Sequence, residues 1–322
     1  MPAKKELWLS AALLWVPLAH AQGAADRAPA IIGPAPELFS PGVISGPAND
    51  GSPTFAPDGN TLYFTRSTTG WGVILESHMK NGEWSEPHVA PFSGQWRDSS
   101  PAMAPDGSYL VFVSLRPKSP APQEQAASLS ANLYRVNRAG SGWSEPERLP
   151  DAVNIGPAIW KPSMAADGTL YFVVIDLKGG KRLYSSEFKD RAYQEARPLA
   201  FSDGTTADVD PEIAPDGSFL VFSSSGRTPG DAKDHLFIVR KSGTGWGAVT
   251  AMRYAGDGPS TDDEPHLGAD RRTLYFSSDR SVPVSFPRTR EQAARDLQRL
   301  EVWDNSNANV WFMPVAPWLN AR

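Results

Sequence analysis

The chain contains no cysteine among its 322 residues, which excludes a disulfide framework, a thiolate zinc site, a thiol nucleophile and a lipidated cysteine. Charge is sparse: only 21% of residues are charged, too few for a disordered acidic protein. Basic residues are not in excess, and a net charge of −5 removes the broad cationic footprint that non-specific nucleic-acid binding needs. Beyond the N-terminal segment the histidines are His78, His88, His235 and His266, too scattered for a recognisable metal-ligand spacing. No Gly-x-Ser-x-Gly elbow, phosphate-binding loop or His-Glu-x-x-His motif occurs. The longest apolar run, Leu7 to Leu18, is too short to span a bilayer.

That run has another use. Lys4 and Lys5 precede it, and Ala19-His20-Ala21 follows it with small residues flanking a cleavage point. Residues 1–21 are therefore expected to be a signal peptide cleaved near Ala21, residues 22–35 a flexible linker, and residues 36–322 a single domain. Cleavage removes two lysines and a glutamate, taking the charge from −5 to −6. The product is expected to be periplasmic or secreted, with no transmembrane segment, and to hold its fold without disulfides.

What the chain has in abundance is turn residues: 27 glycines and 30 prolines, well above average usage of roughly 12% for the two together. Much of this excess falls in a repeat. Five segments align: Ser52-PTFAPDGNTLYF, Ser100-PAMAPDGSYLVF, Lys161-PSMAADGTLYF, Asp210-PEIAPDGSFLVF and Glu264-PHLGADRRTLYF. Each is an apolar stretch, a turn and a β-branched or aromatic run, which is a hairpin signature. A third strand follows in each, and a fourth opens at Trp84, Trp143, Tyr193 and Trp246. Four antiparallel strands recurring about every fifty residues predict an all-β, five-bladed propeller. The fifth unit lacks its fourth strand, which Glu37-LFSPGVIS is expected to supply, closing the ring and removing an open edge. Six blades would need a degenerate blade hidden in an insertion.

The pattern WSEP…SGQWRDSSPAMAPDGSYLVFVSLR resembles the WD40-like repeat of bacterial exported proteins, including the TolB-type propellers. The resemblance covers about residues 36–316 and implies a periplasmic binding or scaffolding propeller, without implying any chemistry. Ala166 in the third turn and Ala269-Asp270-Arg271 in the fifth depart from the pattern.

Strand parity distinguishes two faces. One carries the short Asp-Gly turns; the other carries long connections near Leu115–Ala131, Ser224–Asp234 and Asp279–Ala308, the last with a helix expected over Thr289–Leu300. The long-loop face also receives Asp50, Asp98, Asp208 and Asp262, each three residues before a repeat proline, and Arg66, Arg116, Arg227 and Arg280 after the second strands. Three roles are open for the aspartates: holding loops, binding a cation or ligand, or catalysis. The arginines either pair with them or offer an anion grip. The third blade breaks the series with Ile159, Trp160 and Lys161, and Trp96 faces the same way. Aromatics beside carboxylates can stack on sugars or anchor peptides.

The candidate ligand-binding set is thus Trp96, Trp160, Asp50, Asp98, Asp208, Asp262, Arg66, Arg116 and Arg280. The expected role is non-enzymatic recognition of a protein, peptide or envelope glycan through the long-loop face. The alternative is a glycoside hydrolase-like enzyme using channel-mouth carboxylates, with Glu264 or Asp210 as the acid. No cofactor is required; oxygen-rich loops would suit calcium, although no EF-hand-like loop is present.

Overall fold

The computed structural model describes residues 32–117, 130–228 and 230–320. The expected signal peptide, most of the expected linker and the middle of the second-blade insertion lie outside the described residues. Among the described residues, five antiparallel sheets form the blades of a propeller. Their three long strands are Asn49–Phe55, Thr61–Ser67 and Gly72–Lys80 in the first blade, and Asp98–Met103, Tyr109–Ser114 and Asn132–Ala139 in the second. The third blade uses Ala158–Met164, Leu170–Ile175 and Lys181–Ser186, and the fourth uses Ala207–Ile213, Phe219–Ser225 and His235–Ser242. The fifth uses Asp262–Leu267, Thr273–Ser278 and Asn309–Pro314.

The ring closes as expected. Glu37–Leu38 pairs antiparallel with the last long strand, Glu37 opposite Phe312 and Leu38 opposite Trp311. Phe39 follows into an aromatic cluster with Phe55, Trp84, Tyr275 and Phe312, so the closure joins the first and fifth blades by packing as well as pairing. Part of the segment expected to be a linker is also ordered: Ile32–Gly33 runs parallel to Arg253–Tyr254. A Cβ at Gly33 would run into the Trp318 ring, so this close approach requires glycine.

The repeat sequence explains the blade. At each hairpin an aspartate accepts from a backbone N–H two residues on: Asp58 from Asn60, Asp106 from Ser108, Asp167 from Thr169, Asp216 from Ser218 and Asp270 from Arg272. In the fifth blade Arg271 takes the left-handed turn position, φ 56°, that glycine holds in the others. On the second strands Phe64, Phe112, Phe172, Phe222 and Phe276 are wholly buried, one per blade. The fourth-strand tryptophans pack backwards onto the preceding blade, Trp143 on Tyr63 and Trp246 on Tyr171. The fifth-blade insertion carries the expected helix at Arg290–Val302, started by a capping box between Thr289 and Gln292. No helix among the described residues is long and apolar enough to cross a membrane.

Candidate functional site at the channel mouth

The recurring aspartates are buried and closed by their own blades. Arg66 Nε lies 2.6 Å from Asp50 Oδ1, Arg116 Nη2 3.1 Å from Asp98, Arg227 Nη2 2.6 Å from Asp208, and Arg280 Nη2 2.7 Å from Asp262. Each arginine also lies over the buried second-strand phenylalanine of its blade. Three of them donate onward to a carbonyl of the incoming connection, at Ile44, Phe92 and Phe201. Gly46 and Gly94 donate their N–H groups to Asp50 and Asp98. Burial nevertheless raises the pKa of Asp50 and Asp98 above the ordinary carboxylate value, with the arginines opposing the shift. These four pairs form a latch that fixes each blade-to-blade connection, and they present no free carboxylate. In the third blade Ile159 replaces the aspartate and is buried in an apolar cluster, so no arginine is needed.

Immediately inward, every innermost strand makes the same kink. Ser52, Ser100, Lys161, Asp210 and Glu264, each directly before the repeat proline, have φ of 51, 52, 50, 53 and 53°. The pairing register shifts at each of these positions. A non-glycine residue in the left-handed region is uncommon, and more so before proline. Five of five is therefore a property of the repeat.

Because the kinked residues differ between blades, the channel mouth is asymmetric. Lys161 is buried, with its Nζ 2.7 Å from Ser52 Oγ and 3.6 Å from Glu264 Oε1. The Glu264 N–H donates to Asp210 Oδ2 at 3.2 Å, and Ser277 Oγ donates to Glu264 Oε2 at 3.0 Å. Burial, with Glu264 adding repulsion and Lys161 opposing it, pushes Asp210 up to about 6. Asp263 is raised well above the ordinary value, first by burial and then by Glu264 and Asp210. Lys161, Asp210, Asp263 and Glu264 line a cavity of about 340 Å³, together with Trp160, Asp234, Arg97 and Lys181. Lys161 places one positive charge among these carboxylates.

Trp160 lines this cavity half-buried, beside the lysine. Trp96 is half-buried next to Arg97, whose side chain reaches the cavity. Of the other loop tryptophans, Trp71 is 49% exposed, whereas Trp303 is buried edge-on to Trp311. Deeper along the axis, side chains stitch neighbouring blades together. Thr54 accepts from the Met103 N–H, Ser163 from Ile213 and Glu212 from Leu267. Burial lifts Glu212 to about 7 and holds His266, 3.4 Å away, well below its ordinary pKa.

A propeller of this build is similar to several solved structures. A putative TolB from Agrobacterium tumefaciens is 18% identical with a TM-score of 0.48, covering 72% of this chain and 70% of its own. TolB from Acinetobacter baumannii is 14% identical with a TM-score of 0.47, covering 83% of this chain and 54% of its own. The catalytic domain of an α-L-arabinofuranosidase from Coprinopsis cinerea is 13% identical with a TM-score of 0.48, covering 88% and 94%. No protein-family model matches the sequence, and no curated protein does. Likeness at this level assigns no activity.

Proposed function

We propose that the protein is exported through its first 21 residues and acts as a non-enzymatic binding propeller. Its ligand, a peptide, protein segment or envelope glycan, sits on the long-loop face over the Trp160–Lys161 cavity. One observation carries this reading. The cavity is built where the repeat breaks, at Trp160, Lys161, Asp210 and Glu264, while the regular Asp–Arg pairs are closed on themselves. Carboxylates there accept from hydroxyl or amide donors, and the indole offers a flat face to a sugar or a peptide plane. Glycan and peptide arrays probed with the wild type and with a Trp96→Ala/Trp160→Ala variant test this. Loss of binding by a variant that melts normally supports it, and unchanged binding removes these tryptophans from the site.

A second reading rests on the carboxylates. Asp210, holding its proton to about pH 6 beside Glu264, has the asymmetry that acid–base pairs in glycoside hydrolysis use. Release of sugar from plant or bacterial polysaccharides, abolished by Asp210→Asn, would establish it. No turnover across the panel would leave the binding role.

A further inference from the structure

We propose that the outer edge of the first blade binds a divalent transition-metal ion of the zinc class through Glu76, His78 and His88. The three residues lie far from the channel mouth, toward the short-turn end of the blade. Glu76 and His88 are cross-strand partners on the third and fourth strands, and His78 is two residues from Glu76 on the same face. Period-two alternation therefore sends all three side chains to one side of the sheet. Their candidate ligand atoms all lie within 4.8 Å of one another. Glu76 Oε1 is 2.7 Å from His78 Nε2 and 3.7 Å from His88 Nε2. A tetrahedral site with bonds near 2.0–2.1 Å needs ligand atoms about 3.3 Å apart, so shifts of about half an ångström bring Glu76 to the right distance from each imidazole, and side-chain rotation of the exposed His88 closes the remaining separation from His78.

The surroundings favour a metal over a simple ion pair. Thr61 Oγ1 contacts His78 Nδ1 at 3.3 Å, which orients the ring and leaves Nε2 as the ligand atom. Tyr63 is the cross-strand partner of Glu76, and its hydroxyl accepts from Trp143 Nε1 at 3.2 Å. The carboxylate is thus largely buried while the imidazoles face outward. His78 and His88 side chains are 39% and 57% exposed, giving an ion a route in and leaving a coordination position open to water or a partner's donor. Two imidazoles with one carboxylate suit Zn²⁺, with Ni²⁺ and Cu²⁺ as competitors, far better than Ca²⁺ or Mg²⁺.

Isothermal titration of the chelator-treated protein with Zn²⁺ tests the site. One equivalent should bind, and His88→Ala should weaken binding at least tenfold without moving the melting temperature, because that side chain is mostly exposed. Co²⁺ titrated into the wild type gives a second readout that needs no variant: visible absorption of a four- or five-coordinate nitrogen–oxygen site, reversed by Zn²⁺. Absence of stoichiometric Zn²⁺ binding, or equal affinity in His88→Ala, would overturn the proposal.

Discussion

Lys161 of the third blade reaches across the channel to the Ser52 hydroxyl of the first blade, 2.7 Å away, and stands 3.6 Å from Glu264 of the fifth. One cation thereby ties three blades together and offsets the charge of Asp210, Asp263 and Glu264. Removing it by Lys161→Met leaves buried carboxylates without their partner, a change that costs about 3–5 kcal/mol in comparable settings. Asp210 then holds its proton to higher pH, so the loss should be larger at pH 8 than at pH 5. Urea denaturation at both values measures it, and a pH-independent loss would show that Lys161 acts by packing alone.

Stability should also depend on pH through Glu212 and Asp210. Their folded pKa values, about 7 and about 6, stand above the ordinary 4.5 and 3.8. The folded state therefore binds more protons than the unfolded chain between about pH 4 and pH 7. These groups favour folding most below pH 4, and that contribution is lost as pH rises through 6 to 7. Glu212→Gln keeps an acceptor for the Leu267 N–H and should flatten the decline in melting temperature over this window. A slope identical to wild type would place the proton elsewhere.

The latch pairs make a sharper contrast between blades. Asp208→Ala removes a buried carboxylate and leaves the half-buried Arg227 guanidinium without its partner, and should cost about 3 kcal/mol. In the third blade the reciprocal change, Ile159→Asp, buries a carboxylate without an arginine and should cost a similar amount, roughly 3 kcal/mol or more. Chemical denaturation of both variants checks this. A mild effect of Ile159→Asp would mean that an arginine is not required for the aspartate to be accommodated.

Ring closure rests on a short pairing and on Phe39. Phe39→Ala removes ring contacts to Phe55, Trp84, Tyr275 and Phe312. The side chain is half-buried, so up to about 3 kcal/mol is expected, with hydrogen exchange rising first in the first and fifth blades. Uniform exchange around the ring would contradict a closure at this seam.

The blades were legible because a hairpin announces itself locally. Pro-Asp-Gly turns, alternating apolar runs and the aromatic second strand all act within a dozen residues. Parity brought the aspartates and arginines to one face but left open whether the arginines pair with them or grip an anion; the distances show pairing. The left-handed kink at Ser52, Ser100, Lys161, Asp210 and Glu264 was not legible, because four different residue types share it and a following proline ordinarily argues against it. For the same reason Lys161 stood out as a departure without showing that it would cross the axis. His78 and His88 looked scattered because their meeting depends on the register between two strands. Trp303, placed by its loop on the recognition face, is instead buried against Trp311.

The central claim is that the irregular channel mouth, rather than the repeating latch, meets the ligand. The most direct measurement is the affinity of an array-identified peptide or glycan for wild type, Trp160→Ala and Trp71→Ala, with released sugar followed in parallel. The account predicts at least tenfold weaker binding for Trp160→Ala, wild-type affinity for Trp71→Ala, unchanged melting temperatures and no turnover. Equal affinity of wild type and Trp160→Ala would contradict it, as would sugar release abolished by Asp210→Asn.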